Sequence, residues 1–271
     1  MNDPTGTGWL FPAIALLAWV GVPSYAALAR GRFYAVFTAV LLTFSLPAAL
    51  ILHARLRLLV GDPFASVLDV LFAYSMAAAA IQFIHLVRAR MRSSLFRWAI
   101  SVPGQTFVAA GMLAGPWLLV LLPGRLLLGA LGEDGLLQAW TWIEALLLVV
   151  AAASILTSAT AKPETVRFRL SRDGPEEFSR VPVERFRGRS PDPQPDRPLR
   201  LVQLTDTHLG PWQSVRRLRG RVESLVAREP DLVTLTGHFL TMESIGSRRC
   251  LEEALQPLAP ITSRCVAIIG K

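Results

Sequence analysis

The sequence predicts an all-α multi-span transmembrane region of about five helices, followed by a partial α/β domain with a parallel sheet. Three observations predict it. Hydrophobic residues make up 52% of the 271 positions, and only 18% are charged. Before residue 160 the only Lys or Arg residues are Arg30, Arg32, Arg55, Arg57, Arg88, Arg90, Arg92, Arg97 and Arg125; the rest of the 28 follow it. Beyond that point apolar runs shrink to strand length and alternate with amphipathic stretches. A soluble globule would spread its charge along the chain. The predicted units are therefore 1–160, transmembrane; 161–198, edge strands and a Pro-rich linker; and 199–271, the first part of the α/β domain.

Five runs reach the roughly 20 apolar residues that a membrane-spanning helix needs: Trp9–Ala29, Phe33–His53, Phe64–Val87, Trp98–Leu122 and Leu136–Thr157. Pro12, Pro23, Pro47, Pro103 and Pro116 lie within them, which neighbouring helices can accommodate. The first run is read as a span and not a cleaved signal, because Met1–Gly8 carries Asp3 and no basic residue. Arginines set the orientation. With the N-terminus outside, Arg30, Arg32, Arg88, Arg90, Arg92 and Arg97 fall in inner loops, and Arg55, Arg57 and Arg125 in outer ones. That balance places the C-terminal domain in the cytoplasm of an inner-membrane protein. Asp69 and Glu144 are the carboxylates within the runs. Asp69 is expected to reach the interface, and Glu144 to find a structural partner inside the bundle. No relay of further acids or histidines continues from Glu144, and no internal repeat suggests a transporter.

After Lys162, Val166–Leu170 alternates as a half-buried strand does. Asp173-Gly174-Pro175 signals a turn, and Val181-Pro182-Val183 a second, irregular edge strand. Arg187–Pro198, with four prolines, reads as a linker. Strands follow at 199–205, 232–236 and 265–269, with helices at 214–228, capped by Ser214, and 247–258. Arg216, Arg217, Arg219, Arg221 and Arg228 fall mostly on the helix face away from Val215, Leu218, Val222, Leu225 and Val226. Strand, helix, strand, helix, strand implies a parallel sheet, whose chemistry gathers beyond the strands' carboxyl ends. Asp206-Thr207-His208 and Gly237-His238 stand there. A carboxylate and an imidazole two residues apart, where a strand enters a loop, make a candidate metal corner.

These residues carry a family resemblance. Leu201–Gly210, reading Leu-Val-Gln-Leu-Thr-Asp-Thr-His-Leu-Gly, resembles the first motif of calcineurin-like metallophosphoesterases. Pro230–Gly237 resembles the strand before the second motif, and Ala267–Gly270 the strand before the third. Bacterial members with a multi-span segment ahead of this domain are similar in architecture. The resemblance implies a metallophosphoesterase-like fold for the α/β part and a membrane-anchored phosphohydrolase. Two divalent ions (Mn, Fe or Zn) would be bridged by a carboxylate. Asp206 and His208 match the first motif and would bind metal. At the second motif, where Gly-Asp is the rule, Gly237-His238 stands. At the third, Gly270-Lys271 precedes any Asn-His.

An imidazole offers one lone pair and cannot bridge two cations as a carboxylate can, so His238 is expected to ligate one ion only. At most one ion is expected on Asp206, His208 and His238, with phosphoester hydrolysis impaired or lost. Expected partners are the lipid bilayer and a phosphorylated lipid or nucleotide substrate. The pI near 10.6 brings no expectation of nucleic acid, because no basic stretch is interleaved with stacking aromatics. Cys250 and Cys265 form neither a metal pattern nor a disulfide framework. The competing reading is a non-enzymatic membrane protein whose degenerate cytoplasmic domain binds a partner.

Overall fold

The computed structural model describes residues 6–62, 64–88, 90–158, 165–171, 174–181, 199–210 and 212–268. The proline-rich stretch 187–198, Pro182, Val183 and the last three residues lie outside them. The chain divides into two compact units: Met1–Ile155 with Met242–Arg248, and Leu156–Thr241 with Arg249–Lys271.

The first unit is helical: α1 (Leu10–Ala29), α2 (Arg32–Val60), α3 (Phe64–Leu86), α4 (Ser94–Phe96), a π-helical turn (Arg97–Ser101), α5 (Val102–Ala130) and α6 (Asp134–Ser158). Among the described residues, five stretches are long and apolar enough to cross a membrane: Leu10–Ala29, Arg32–Val60, Phe64–Leu86, Ser94–Ala130 and Asp134–Ser154. Each matches one predicted run, and α2 and α5 are longer than predicted. The added turns of α2 carry Arg55 and Arg57, and the added turns of α5 carry Arg125. These three are therefore helix residues inside the unit, not loop charges.

The π turn leads directly into Pro103. Pro103 has no N–H for the carbonyl of Ala99, four residues earlier. The Tyr74 hydroxyl donates to that carbonyl instead. Small residues set the packing distance, as in membrane bundles generally. A Cβ on Gly104 would stand 2.7 Å from the backbone nitrogen of Ala79, and one on Gly111 2.6 Å from the Ser45 carbonyl oxygen. At the core, Phe11 meets His53, Phe72 and Phe107 edge-on, with centroids 4.9–5.9 Å apart. Large apolar side chains such as Leu17, Leu28 and Phe33 point outward, the inverse of a water-soluble bundle.

Asp69 corrects the expectation of an interfacial carboxylate. It is fully buried, 2.8 Å from His53 Nε2 and 3.2 Å from Arg57 Nε. The Thr7 hydroxyl donates to it at 2.9 Å. His53 and Arg57 are one helical turn apart on α2, so both reach the same point on α3. Glu144 has the structural partners expected of it: Arg55 Nη1 at 2.7 Å and Arg125 Nη1 at 3.0 Å.

In the second unit, β1 (Thr165–Ser171) and β2 (Gly174–Val181) pair antiparallel as a sheet of their own. The second strand thus starts at the predicted turn, ahead of Val181. The other sheet is parallel, in the order β3 (Leu201–Thr205), β4 (Leu232–Thr236), β5 (Cys265–Ala267). The crossovers are α7 (Val215–Val226), then α8 (Cys250–Leu255) with a 3₁₀ stretch over Gln256–Arg264. Ser214 caps α7, its hydroxyl accepting from Arg217 N–H at 3.3 Å, the usual N-cap arrangement. Arg219 and Glu223, one turn apart, pair at 3.1 Å on the exposed face. Leu218 and Val222 pack with Val233, Leu235, Cys250 and Ala254. α8 begins three residues later than predicted because Arg249 is left-handed, at φ 59°. Neither cysteine is in a disulfide: Cys250 is buried, Cys265 half-buried, and burial pushes the Cys265 thiol up.

Candidate metal centre

In-register pairing places the site. Leu201 pairs with Leu232 and Thr205 with Thr236, so both strands end side by side. The pairing continues into the loops: Asp206 N–H donates to the Thr236 carbonyl at 3.1 Å, His208 N–H to that of His238 at 3.2 Å, and Leu209 N–H to that of Phe239 at 2.9 Å. Fully buried Leu209 anchors this double loop to the core beneath. Asp206 and His238 are 32 positions apart in sequence yet neighbours in space.

Asp206 is the hub. Its Oδ1 accepts from the His238 backbone N–H at 3.0 Å, and its Oδ2 from the Thr205 hydroxyl at 2.8 Å. The His238 N–H first, then the Thr205 hydroxyl, hold its carboxyl below the usual carboxylate range. Hydrogen bonds to the charged form do this. Gly237 makes the room: at φ 79°, a Cβ there would lie 2.5 Å from Oδ1. Asp206 and His208 themselves have φ of 47° and 42°, a conformation costing about 1–2 kcal/mol per residue away from glycine. Two of the four such non-glycine residues among those described therefore fall at this one corner. Strain held in place by surrounding structure is a pointer to function.

The three side chains converge. His208 Nε2 lies 3.7 Å from Asp206 Oδ1, and His238 Nδ1 3.6 Å from it. The imidazoles stack with centroids 5.8 Å apart. One ligand atom from each of Asp206, His208 and His238 lies within 4.8 Å of the others, and all three residues are exposed. Separations of 3.6–3.7 Å are too long for hydrogen bonds. They are close to the edge of a tetrahedron of ligands about 2.0–2.1 Å from a metal, roughly 3.4 Å. The donor set, one carboxylate and two imidazoles, suits a single divalent first-row ion with positions left open.

Comparison with protein-family models, with curated proteins and with solved structures finds no match to this chain. Sequence reasoning found the three converging side chains. It missed the supports, Thr205 and Gly237, although both adjoin predicted ligands and glycine after a strand is itself a signal of close approach.

Proposed function

We propose that the chain is a membrane-anchored protein of the metal-dependent phosphoesterase type. In this reading the water-facing corner of Asp206, His208 and His238 holds one divalent ion and hydrolyses phosphoesters poorly or not at all. The observation that carries the reading is the convergence of these side chains beyond the carboxyl ends of two adjacent parallel strands, where such sheets place their chemistry. A divalent ion bound there would neutralise phosphate charge and acidify bound water. Asp206 supplies the anionic ligand, kept ionised by its two donors. His208 and His238 supply one nitrogen each. Thr205 orients the carboxylate, and Gly237 leaves it space. His238, at the place of the second motif, has no second oxygen with which to bridge two ions, hence the impairment. A phosphorylated lipid or nucleotide is the substrate class that the membrane anchor suits.

The test is manganese-dependent hydrolysis of an aryl phosphate diester by the purified full chain, alongside manganese binding. One ion per chain with slow or absent turnover is expected, and His238→Asp alone should leave turnover low. Rapid, chelator-sensitive turnover lost in Asp206→Ala would show that one ion suffices for full activity. Absence of manganese and zinc binding would favour the second reading, a partner-binding domain without catalysis.

We further propose that the helical unit spans a bacterial inner membrane with the α/β domain in the cytoplasm. Arg30, Arg88 and Arg92 support this. The Arg30 guanidinium donates to the carbonyl of Leu86, so the loops after α1 and α3 share one arginine-rich end. Reporter fusions after Asp134 and after Thr160 should read opposite sides. An extracytoplasmic signal at Thr160 would reverse the orientation.

A further inference from the structure

Within the helical unit, α2, α3 and α5 leave a groove of about 250 Å³ between them. Phe37 and Leu41 of α2, Phe83 and Leu86 of α3, and Val108 and Met112 of α5 line it. It is smaller than the roughly 300–1,000 Å³ of pockets that take compact ligands, and its walls suit a slender, flexible hydrocarbon. Phe37 and Met112 are more than a third exposed, so the groove opens on the unit's apolar surface.

Charge gathers at one end of it. Phe83 and Leu86 belong to the last turn of α3, and the negative end of a helix draws cations. Arg30 donates to the Leu86 carbonyl, and Arg92 Nη2 to that of His85 at 3.4 Å. Two guanidiniums from different loops thus meet where the groove ends. Arg92 Nε is buried and finds no hydrogen-bond acceptor among the described residues. The connections around Arg30 and Arg92 also hold Arg88 and Arg90 and carry no acidic residue. Glu243, near Arg92, is buried and bonded to Gln82, and burial pushes its carboxyl up. The end keeps a cationic surplus.

We propose that this groove binds an anionic phospholipid, with one acyl chain between α2, α3 and α5 and the phosphate beside Arg30 and Arg92. Basic pockets at helix ends next to apolar clefts recognise acidic lipid headgroups through this pairing of charge and hydrocarbon. The proposal rests on the chain spanning a bilayer and is independent of the metal corner.

The test uses the full chain in neutral detergent, with phosphatidylglycerol and phosphatidylcholine of identical acyl chains. Retained lipid is counted by native mass spectrometry, and thermal unfolding is followed in parallel. Phosphatidylglycerol should bind about 10- to 30-fold more tightly, the scale of two arginines near an acidic headgroup. Arg30→Gln with Arg92→Gln should lose that preference while keeping the weaker phosphatidylcholine binding. Ala109→Trp, which fills the groove, should lose both. Inorganic phosphate should neither bind nor shift unfolding. Equal retention of the two lipids by the wild type would overturn the proposal, as would an undiminished preference in the double variant. The same shift from inorganic phosphate would mean a headgroup-only site and overturn the groove. If the double variant fails to fold, Arg30→Gln alone gives the same readout, because Arg30 is exposed.

Discussion

Alanine at Glu144 is expected to destabilise the helical unit by about 3–5 kcal/mol, the usual cost of breaking a buried ion pair from one side. Glu144 is 1% exposed and accepts from two guanidiniums, Arg55 at 2.7 Å and Arg125 at 3.0 Å. Removing it leaves two cations facing each other in a bundle without an anion between them. Each arginine is about a quarter exposed, so partial escape to headgroups favours the lower end of that range. Arg125 also donates to the Thr141 hydroxyl at 3.2 Å, and the Trp117 indole to the Ile143 carbonyl at 3.1 Å. α6 therefore keeps some attachment and loosens before the rest. Unfolding of wild type, Glu144→Ala, Arg125→Ala and the double variant in one detergent measures the coupling. A loss below about 1 kcal/mol, the level of a surface pair, would show that the triad carries no load. Replacing Arg55, Arg125 and Glu144 together with apolar residues should restore most of the stability, because desolvation opposes the pairing.

Asp206→Ala is expected to weaken manganese and zinc binding by at least about 100-fold, beyond the 10–100-fold typical of losing a supporting partner. In the proposed site Asp206 would be the only anionic ligand of the three, with His208 Nε2 and His238 Nδ1 3.7 and 3.6 Å from its Oδ1. Asp206→Asn tests charge apart from shape, and should be nearly as damaging. Gly237→Ala removes no ligand, yet its Cβ would lie 2.5 Å from Oδ1 and 2.6 Å from Cγ. Weaker binding with the fold intact is expected there too. Titration of the full chain with either ion provides the measurement. Unchanged affinity in Asp206→Ala would place the ion elsewhere, or nowhere.

The five long apolar helices were legible because each apolar run is long enough to need no partner in order to be seen. The parallel sheet was legible for a related reason: Leu232–Thr236 is too short and too β-branched for a helix, and it lies between two amphipathic stretches. Asp206, His208 and His238 stood out because strand ends are where such residues gather. What escaped was pairing across elements. Nothing local tells that Asp69 is met by His53 and Arg57, since that depends on how α2 is rotated against α3. Arg55 and Arg57 are two positions apart and face different neighbours, Glu144 and Asp69. As loop charges the two look alike. Nor does anything local tell that the Tyr74 hydroxyl meets the Ala99 carbonyl, and the late start of α8 depends on the backbone angle of Arg249.

The Glu144 triad also bears on how the protein is made. A charged residue at the centre of an inserting helix costs about 2.5–3.5 kcal/mol on translocon scales. The last span carries one, and its counter-charges lie on earlier spans, Arg55 being 89 positions upstream. By the time α6 leaves the ribosome, α2 and α5 have already been synthesised and can receive it. In the membrane-spanning arrangement proposed above, insertion of α6 would be conditional on its predecessors. The side of the bilayer that receives the chain beyond α6 would then depend on an ion triad completed during biogenesis, as well as on the loop arginines.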